Sequence, residues 1–187
     1  MHRDFGGRQR GITLVEVLVT MVILAIGLLG LAGLQARLQI LQSEAYQRAQ
    51  ALMLLKDMAG RIANNRNDAG DYVTGADAPV GVGGACPGPG ASRQEADVAE
   101  WCGLLQGASE ETSAGTRIGS MVGGRGCVED LGNGQYLITV AWQGLAPISA
   151  PPADVACGAG QFNGGTVCVN DLCRRVVTSI VQIANLT

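Results

Sequence analysis

Two side chains that carry much of protein chemistry are almost missing. The 187 residues hold one histidine, His2, and one lysine, Lys56, while aromatic residues make up 4% of the chain. Beyond position 2 the chain therefore lacks the commonest general base and a principal zinc ligand. Its six cysteines include no Cys-x-x-Cys pair, so closely paired zinc ligands are absent as well, and neither a metal site nor a cofactor is expected. There is no nucleophile elbow and no phosphate-cradling motif. The Gly-x-Gly runs fall in loops outside any strand–turn–helix context, and Asp and Glu are scattered. Catalysis is not expected. A formal charge of −3 without a basic patch also argues against nucleic acid as a partner. The scarcity of aromatics leaves a thin core, and a small domain of that kind benefits from covalent staples.

What is present in quantity is apolar and lies near the start. Val17 to Leu34 is an almost unbroken apolar stretch, and Ile12 to Leu34 supplies 23 residues. A helix needs about 20 mainly apolar residues to cross a bilayer. The preceding segment is polar and carries Arg3, Arg8 and Arg10 against Asp4. A secretory signal would place its apolar region before the cleavage site and lose it. Here the order is reversed. The basic leader places the N-terminus in the cytoplasm and the remainder in the periplasm. Glu16 stands inside the span, and a carboxylate at that depth calls for a partner.

Gly11 followed by Ile12-Thr13-Leu14-Val15-Glu16 and the long apolar run resembles a type III signal, the class processed by prepilin peptidase. The family is the type IV pilins and the type II secretion pseudopilins. The resemblance implies cleavage after Gly11, N-methylation of the new terminal Ile12, and an assembly role for Glu16. That carboxylate would pair with an N-terminal amine, either its own four residues away or that of a neighbouring subunit. Removing residues 1–11 takes away three Arg and one Asp, so the charge moves from −3 to −5. The chain departs from the major pilins in having Ile12 where Phe is usual, and Gly33 where many carry Pro. A second stretch, Gln135-Tyr136-Leu137-Ile138-Thr139-Val140-Ala141-Trp142-Gln143, then a cysteine-bearing loop, then Arg174-Arg175-Val176-Val177-Thr178, resembles PilV-type minor pilins. This implies a minor pilin of a type IV pilus, joined with other minor pilins in an inner-membrane complex that primes assembly. Its further partners would be the major pilin, the prepilin peptidase, the assembly platform and the lipid bilayer. It would sit in the inner membrane before assembly and in the filament or at its tip afterwards, supporting twitching motility and adhesion. A minor pseudopilin of a type II secretion system shares the whole N-terminal argument. A plain unprocessed anchor is the third reading.

The expected organisation is a leader at 1–11, a transmembrane half of the helix at 12–34, an amphipathic half at 35–64 and a periplasmic head at 65–187. Leu34, Leu38, Leu41, Ala45, Leu52, Leu55, Ala59 and Ile62 form the expected apolar stripe, and Asn64-Asn65-Arg66-Asn67 with Gly70 ends the helix. At about 1.5 Å per residue the helix from Ile12 would be roughly 80 Å long. Gly27, Gly30 and Gly33 permit close helix approach or local melting, or reflect the ordinary frequency of Gly in membrane helices.

The head reads as α+β, a small antiparallel sheet packed on the long helix. Residues 66–91 read as loop; the Gly-rich part is either a contact surface or a solvated segment pinned by Cys86. Ser92-Arg93-Gln94-Glu95 has the pattern of a capping box and opens a helix over about 93–106, with Val98, Cys102 and Leu105 on one face and Trp101 alongside. Glu110 to Gly115 reads as loop. Asn133-Gly134 marks a hairpin between strands at 125–131 and 135–143. Tyr136, Ile138, Val140 and Trp142 share one face of the second strand, with Trp142 as a core anchor. A last strand runs from Arg174 to about Ile183, its two arginines expected to guard the strand edge. Cys86, Cys102, Cys127, Cys157, Cys168 and Cys173 all fall on the periplasmic side, where an even count reads as disulfides. Six cysteines allow 15 pairings. The local choice pairs Cys86 with Cys102, and Cys157 with Cys168 or Cys173.

Overall fold

The structure, a computed structural model, describes residues 12–109, 113 and 121–184. The leader with Gly11, and the loop expected at 110–115 save for Ser113, lie outside the described residues. One helix, α1 (Leu14–Asn64), ends where the Asn-rich segment predicts. The chain divides into two units, residues 1–42 and 43–187, each considered by itself. The first consists, as described, of the apolar part of α1, and every residue from Ile12 to Gln42 is exposed.

In the second unit α1 leads to a 3-10 helix (Arg66–Tyr72), β1 (Val80–Gly81), α2 (Arg93–Leu105), β2 (Arg125–Gly132), β3 (Gln135–Gln143) and β4 (Arg174–Gln182). The four strands form one antiparallel sheet in the order β1-β2-β3-β4. The fold is α+β, as expected. Ser92 caps α2 by accepting the Glu95 N–H, and the Glu95 carboxylate returns to the Ser92 N–H, closing the box read in the sequence. The β2–β3 turn places Asn133 at φ 54° and Gly134 at φ 72°, the two positive values a tight two-residue hairpin turn requires.

The core lies between one face of the sheet and α1. Ala51, Leu55, Met58 and Ile62 pack with Val128, Ile138, Val140 and Trp142, and α2 adds Val98, Trp101, Cys102 and Leu105. The stripe on α1 is thus shifted from the expected one. The buried positions are Gln47, Ala51, Leu55, Met58 and Ile62; Ala45 and Leu52 are exposed. Spacings of four, four, three and four make a single helical face. That face admits the small Ala51, and Gln47 is tolerated there because its side-chain oxygen accepts the Val122 N–H at 3.4 Å. Gly126 on β2 makes room for this packing, since a Cβ there would collide with the Trp101 ring.

The stretch 66–91 is more ordered than its composition suggests. It holds the 3-10 helix and β1, within a segment expected to be loop. Gly81 occupies φ +116°, and a Cβ there would strike the Gly124 carbonyl, so glycine is what allows this edge to pair with β2.

Candidate functional site

The first candidate segment is the start of α1. Thr13 precedes the helix, and its hydroxyl accepts the Glu16 N–H at 3.3 Å while its carbonyl accepts the same N–H at 3.1 Å. Thr13 therefore caps the helix, and Glu16 occupies the first turn, where the exposed N–H groups favour negative charge. The Thr-x-x-Glu spacing within the signal is itself a capping pattern legible in the sequence. Among the described residues no cation lies within ion-pair distance of the Glu16 carboxylate. Ile12 is 74% exposed. Further along, the Thr20 hydroxyl donates to the Val17 carbonyl at 2.8 Å, which satisfies the polar group inside the apolar stretch. A Cβ placed at Gly27, Gly30 or Gly33 meets nothing within 4 Å, so no contact within the chain requires glycine there. Among the described residues one helix, α1, is long and apolar enough to cross a membrane.

The second unit supplies a stapled, ion-paired platform. Disulfides join Cys86 to Cys102, Cys127 to Cys157 and Cys168 to Cys173. The first is the local pairing expected. Cys157, however, pairs with Cys127 on β2 rather than with Cys168 or Cys173. The reason is the far face of the sheet. Cys127 lies opposite Thr139, and Thr139 and Ala141 are fully buried although they point away from α1. The loop 144–173 covers them. Cys157 and Phe162 are buried in it, and a Cβ at Gly158 would touch Ala141 at 3.4 Å.

The arginine pair is the second correction. Arg174 and Arg175 are 3% and 8% exposed and do not guard an edge. Neighbouring strand residues face opposite sides, so the two guanidiniums serve two surfaces. Arg174 donates to the carbonyls of Val155 at 2.6 Å and Cys157 at 3.1 Å, and its Nε lies 3.1 Å from Asp171 as a charge contact without hydrogen-bond alignment. It ties down the covering loop. Arg175 faces α1, donating to Glu44 at 3.3 and 3.4 Å and to the Ala146 carbonyl at 2.6 Å.

A third cluster fixes α2 against α1. Arg61 donates to Asp57 and Asp97 at 2.8 Å and to Glu100 at 2.9 Å, and the Tyr72 hydroxyl donates to Asp97 at 2.6 Å. The hydrogen bond from Arg61 holds Glu100 below the usual carboxylate range, and burial, then the hydrogen bond with Asp97, pushes Tyr72 up. These groups pair with one another and hold α2 to α1. Among the described residues no group of three or more His, Cys, Asp or Glu side chains is placed to hold a metal ion.

Residues 6–32 match the family described as the prokaryotic N-terminal methylation motif. The chain carries a prepilin-type signal. No curated protein and no solved structure matches it. The motif supports a pilin-like or pseudopilin-like protein, a structural protein rather than an enzyme, and implies processing by prepilin peptidase and partners of pilin type. Motif and apolar helix together are consistent with anchoring in the inner membrane.

Proposed function

We propose that the chain is a PilV-type minor pilin of a type IV pilus. It joins other minor pilins in an inner-membrane complex that primes assembly, and it is incorporated at the filament tip. Twitching motility and adhesion depend on it through the pilus. The observation that carries the pilin reading is the methylation motif at 6–32 running into a membrane-length helix with Glu16 in its first turn.

The residues act in sequence. Cleavage after Gly11 removes the leader and leaves a new amine on Ile12, which is then methylated. Residues 12–34 hold the subunit in the bilayer, 35–64 continue the helix, and 65–187 form the periplasmic head. Inside hydrocarbon an unpaired carboxylate is costly. Glu16 therefore favours the axial register that brings it to the terminal amine of a neighbouring subunit, and extraction into the filament on the assembly platform replaces lipid contacts with contacts to the major pilin and other minor pilins. The Gln135–Gln143 and Arg174–Thr178 pattern supports a pilus over a type II secretion pseudopilus.

The test is the amount of sheared surface pili from a clean deletion strain, with major pilin in whole cells as the control. Pili are expected to vanish while major pilin persists in the membrane. Unchanged pili with reduced exoprotein export would overturn the assignment in favour of the minor pseudopilin.

A further inference from the structure

Among the described residues of the second unit, Arg61, Arg125, Arg174 and Arg175 are buried or half-buried. Three of these guanidiniums are matched by carboxylates, Arg61 by Asp57, Arg174 by Asp171 and Arg175 by Glu44. Arg125 differs. Among the described residues it has neither an ion-pair nor a hydrogen-bond partner, and its Nε is buried without an acceptor. Burial alone pushes its pKa down, with no carboxylate acting the other way. A charge half-withdrawn from water without a partner is costly. Packing nevertheless holds it in place. The Phe162 ring centroid lies 5.5 Å from its Cζ, a Cβ at Gly158 would come within 3.5 Å of its Cδ, and one at Gly83 would come within 2.9 Å of its Nη2. These contacts fix the guanidinium without neutralising it.

Arg125 faces a cavity of about 280 Å³, lined also by Asp77, Pro79, Gly83, Gly84 and Gln161. Asp77 shares the wall, is exposed, and forms no ion pair with Arg125. The polar groups ask for different things. A guanidinium takes a carboxylate through two parallel N–H donors. Asp77 repels a bare anion but accepts from hydroxyls, and the Gln161 amide both donates and accepts. A ligand with one carboxylate beside several hydroxyls satisfies all of them, whereas phosphate or a plain carboxylate satisfies Arg125 alone. The cavity is at the small end of ligand sites, which run from roughly 300 to 1,000 Å³, so it suits a single ring.

We propose that this cavity binds a hydroxylated carboxylate of the sugar-acid type, a uronate, with Arg125 on the carboxylate and Asp77 and Gln161 on the hydroxyls. The same chemistry is offered by a free uronate and by a unit of an acidic polysaccharide. The site lies wholly in the second unit and does not depend on the processing and assembly roles of α1.

The test is equilibrium titration and thermal melting of the full-length protein in detergent with D-galacturonate and D-glucuronate, alongside galactose, acetate and inorganic phosphate. At least one uronate should bind, and at ten times its Kd should raise the melting midpoint by about 4 °C. Galactose, acetate and phosphate should each bind at least about tenfold more weakly. Arg125→Gln should weaken uronate binding about tenfold or more, the scale of a lost charge-assisted pair. Asp77→Ala, on an exposed segment, decides the ligand class whatever Arg125→Gln does to folding. Loss of a hydroxyl acceptor should weaken uronate binding about fivefold. At a site for a bare anion, removing that negative charge would tighten binding instead. Trigalacturonate separates the two sources: binding at least as tight as the monomer's identifies a polysaccharide, and binding of the monomer alone identifies a free sugar acid. Absence of binding by both uronates, acetate or phosphate binding as tightly, uronate binding indifferent to Arg125→Gln, or binding unchanged or tightened by Asp77→Ala would overturn the proposal.

Discussion

Residues 12–42 and 43–184 solve the problem of burial in opposite ways. The second unit is closed on itself: Arg61, Arg174 and Arg175 are matched by carboxylates and carbonyls, both faces of β3 are covered, and three disulfides hold the loops. The first has no buried residue, and its side-chain hydrogen bonds, Thr13 with the Glu16 N–H and Thr20 with the Val17 carbonyl, are local among the described residues. An apolar surface of that size is stable only against lipid or other subunits. Damage to the second unit should therefore read out as lost folding stability, and damage to the first as lost processing or assembly with the head intact.

The largest effect expected is from Gly11→Val. Cleavage should stop, leaving the full leader on the protein and excluding it from filaments, while the head keeps its disulfides. The mass of the membrane-bound protein checks this. An unchanged mature mass with normal incorporation would leave neither pilin reading standing and point to a plain anchor. Glu16→Val comes next and separates the steps. Cleavage should survive while incorporation falls by an order of magnitude or more, the scale at which an unpaired intramembrane charge costs a few kcal/mol. The head's thermal midpoint should not move. Normal incorporation of this variant would refute the charge-pair account.

Within the second unit the comparison sharpens into one among its staples. Cys127–Cys157 spans 30 residues and Cys168–Cys173 spans five. Loop-closure entropy gives about 3.7 kcal/mol for the first and about 2.2 kcal/mol for the second. The double variant Cys127→Ser with Cys157→Ser should therefore lose more stability in denaturant unfolding than Cys168→Ser with Cys173→Ser. The reverse order would mean that the far-face loop is held chiefly by Arg174 and Phe162.

Local signals were readable in the chain and long-range ones were not. Ser92–Glu95 and Asn133-Gly134 each fix a backbone conformation through neighbours in sequence, so α2 and the hairpin could be placed in advance. The methylation motif was legible for the same reason. The Cys127–Cys157 bond depends on a loop folding over the second face of β3, and the only hint was that Thr139 and Ala141 are small enough to be covered. Arg174-Arg175 looked like edge charges because sequence shows a charge and not the carbonyls that gather around it. β1 hid among glycines, where composition argues against a strand but Gly81 is what permits the pairing. The stripe on α1 was off by about one position because side-chain hydrophobicity favoured Leu52 over Ala51, while the close approach of the sheet favours the smaller residue.

The smallest effect expected lies at a place where the closed unit is imperfectly satisfied. Glu129 on β2 has a buried carboxylate oxygen without a hydrogen-bond partner among the described residues, and burial, then the charge of Asp77, pushes its pKa up. Its folded pKa lies above its unfolded one. The stability it contributes is therefore fully present below the unfolded value, near 4.3, and is lost as pH rises through the folded value. Glu129→Gln removes that loss. At pH 7 the full-length variant in detergent should melt higher than the parent by up to about 2 °C, and the difference should disappear below about pH 4. An equal difference at both pH values would mean that the amide gains a new contact, and no difference at pH 7 would mean that solvent already relieves the carboxylate.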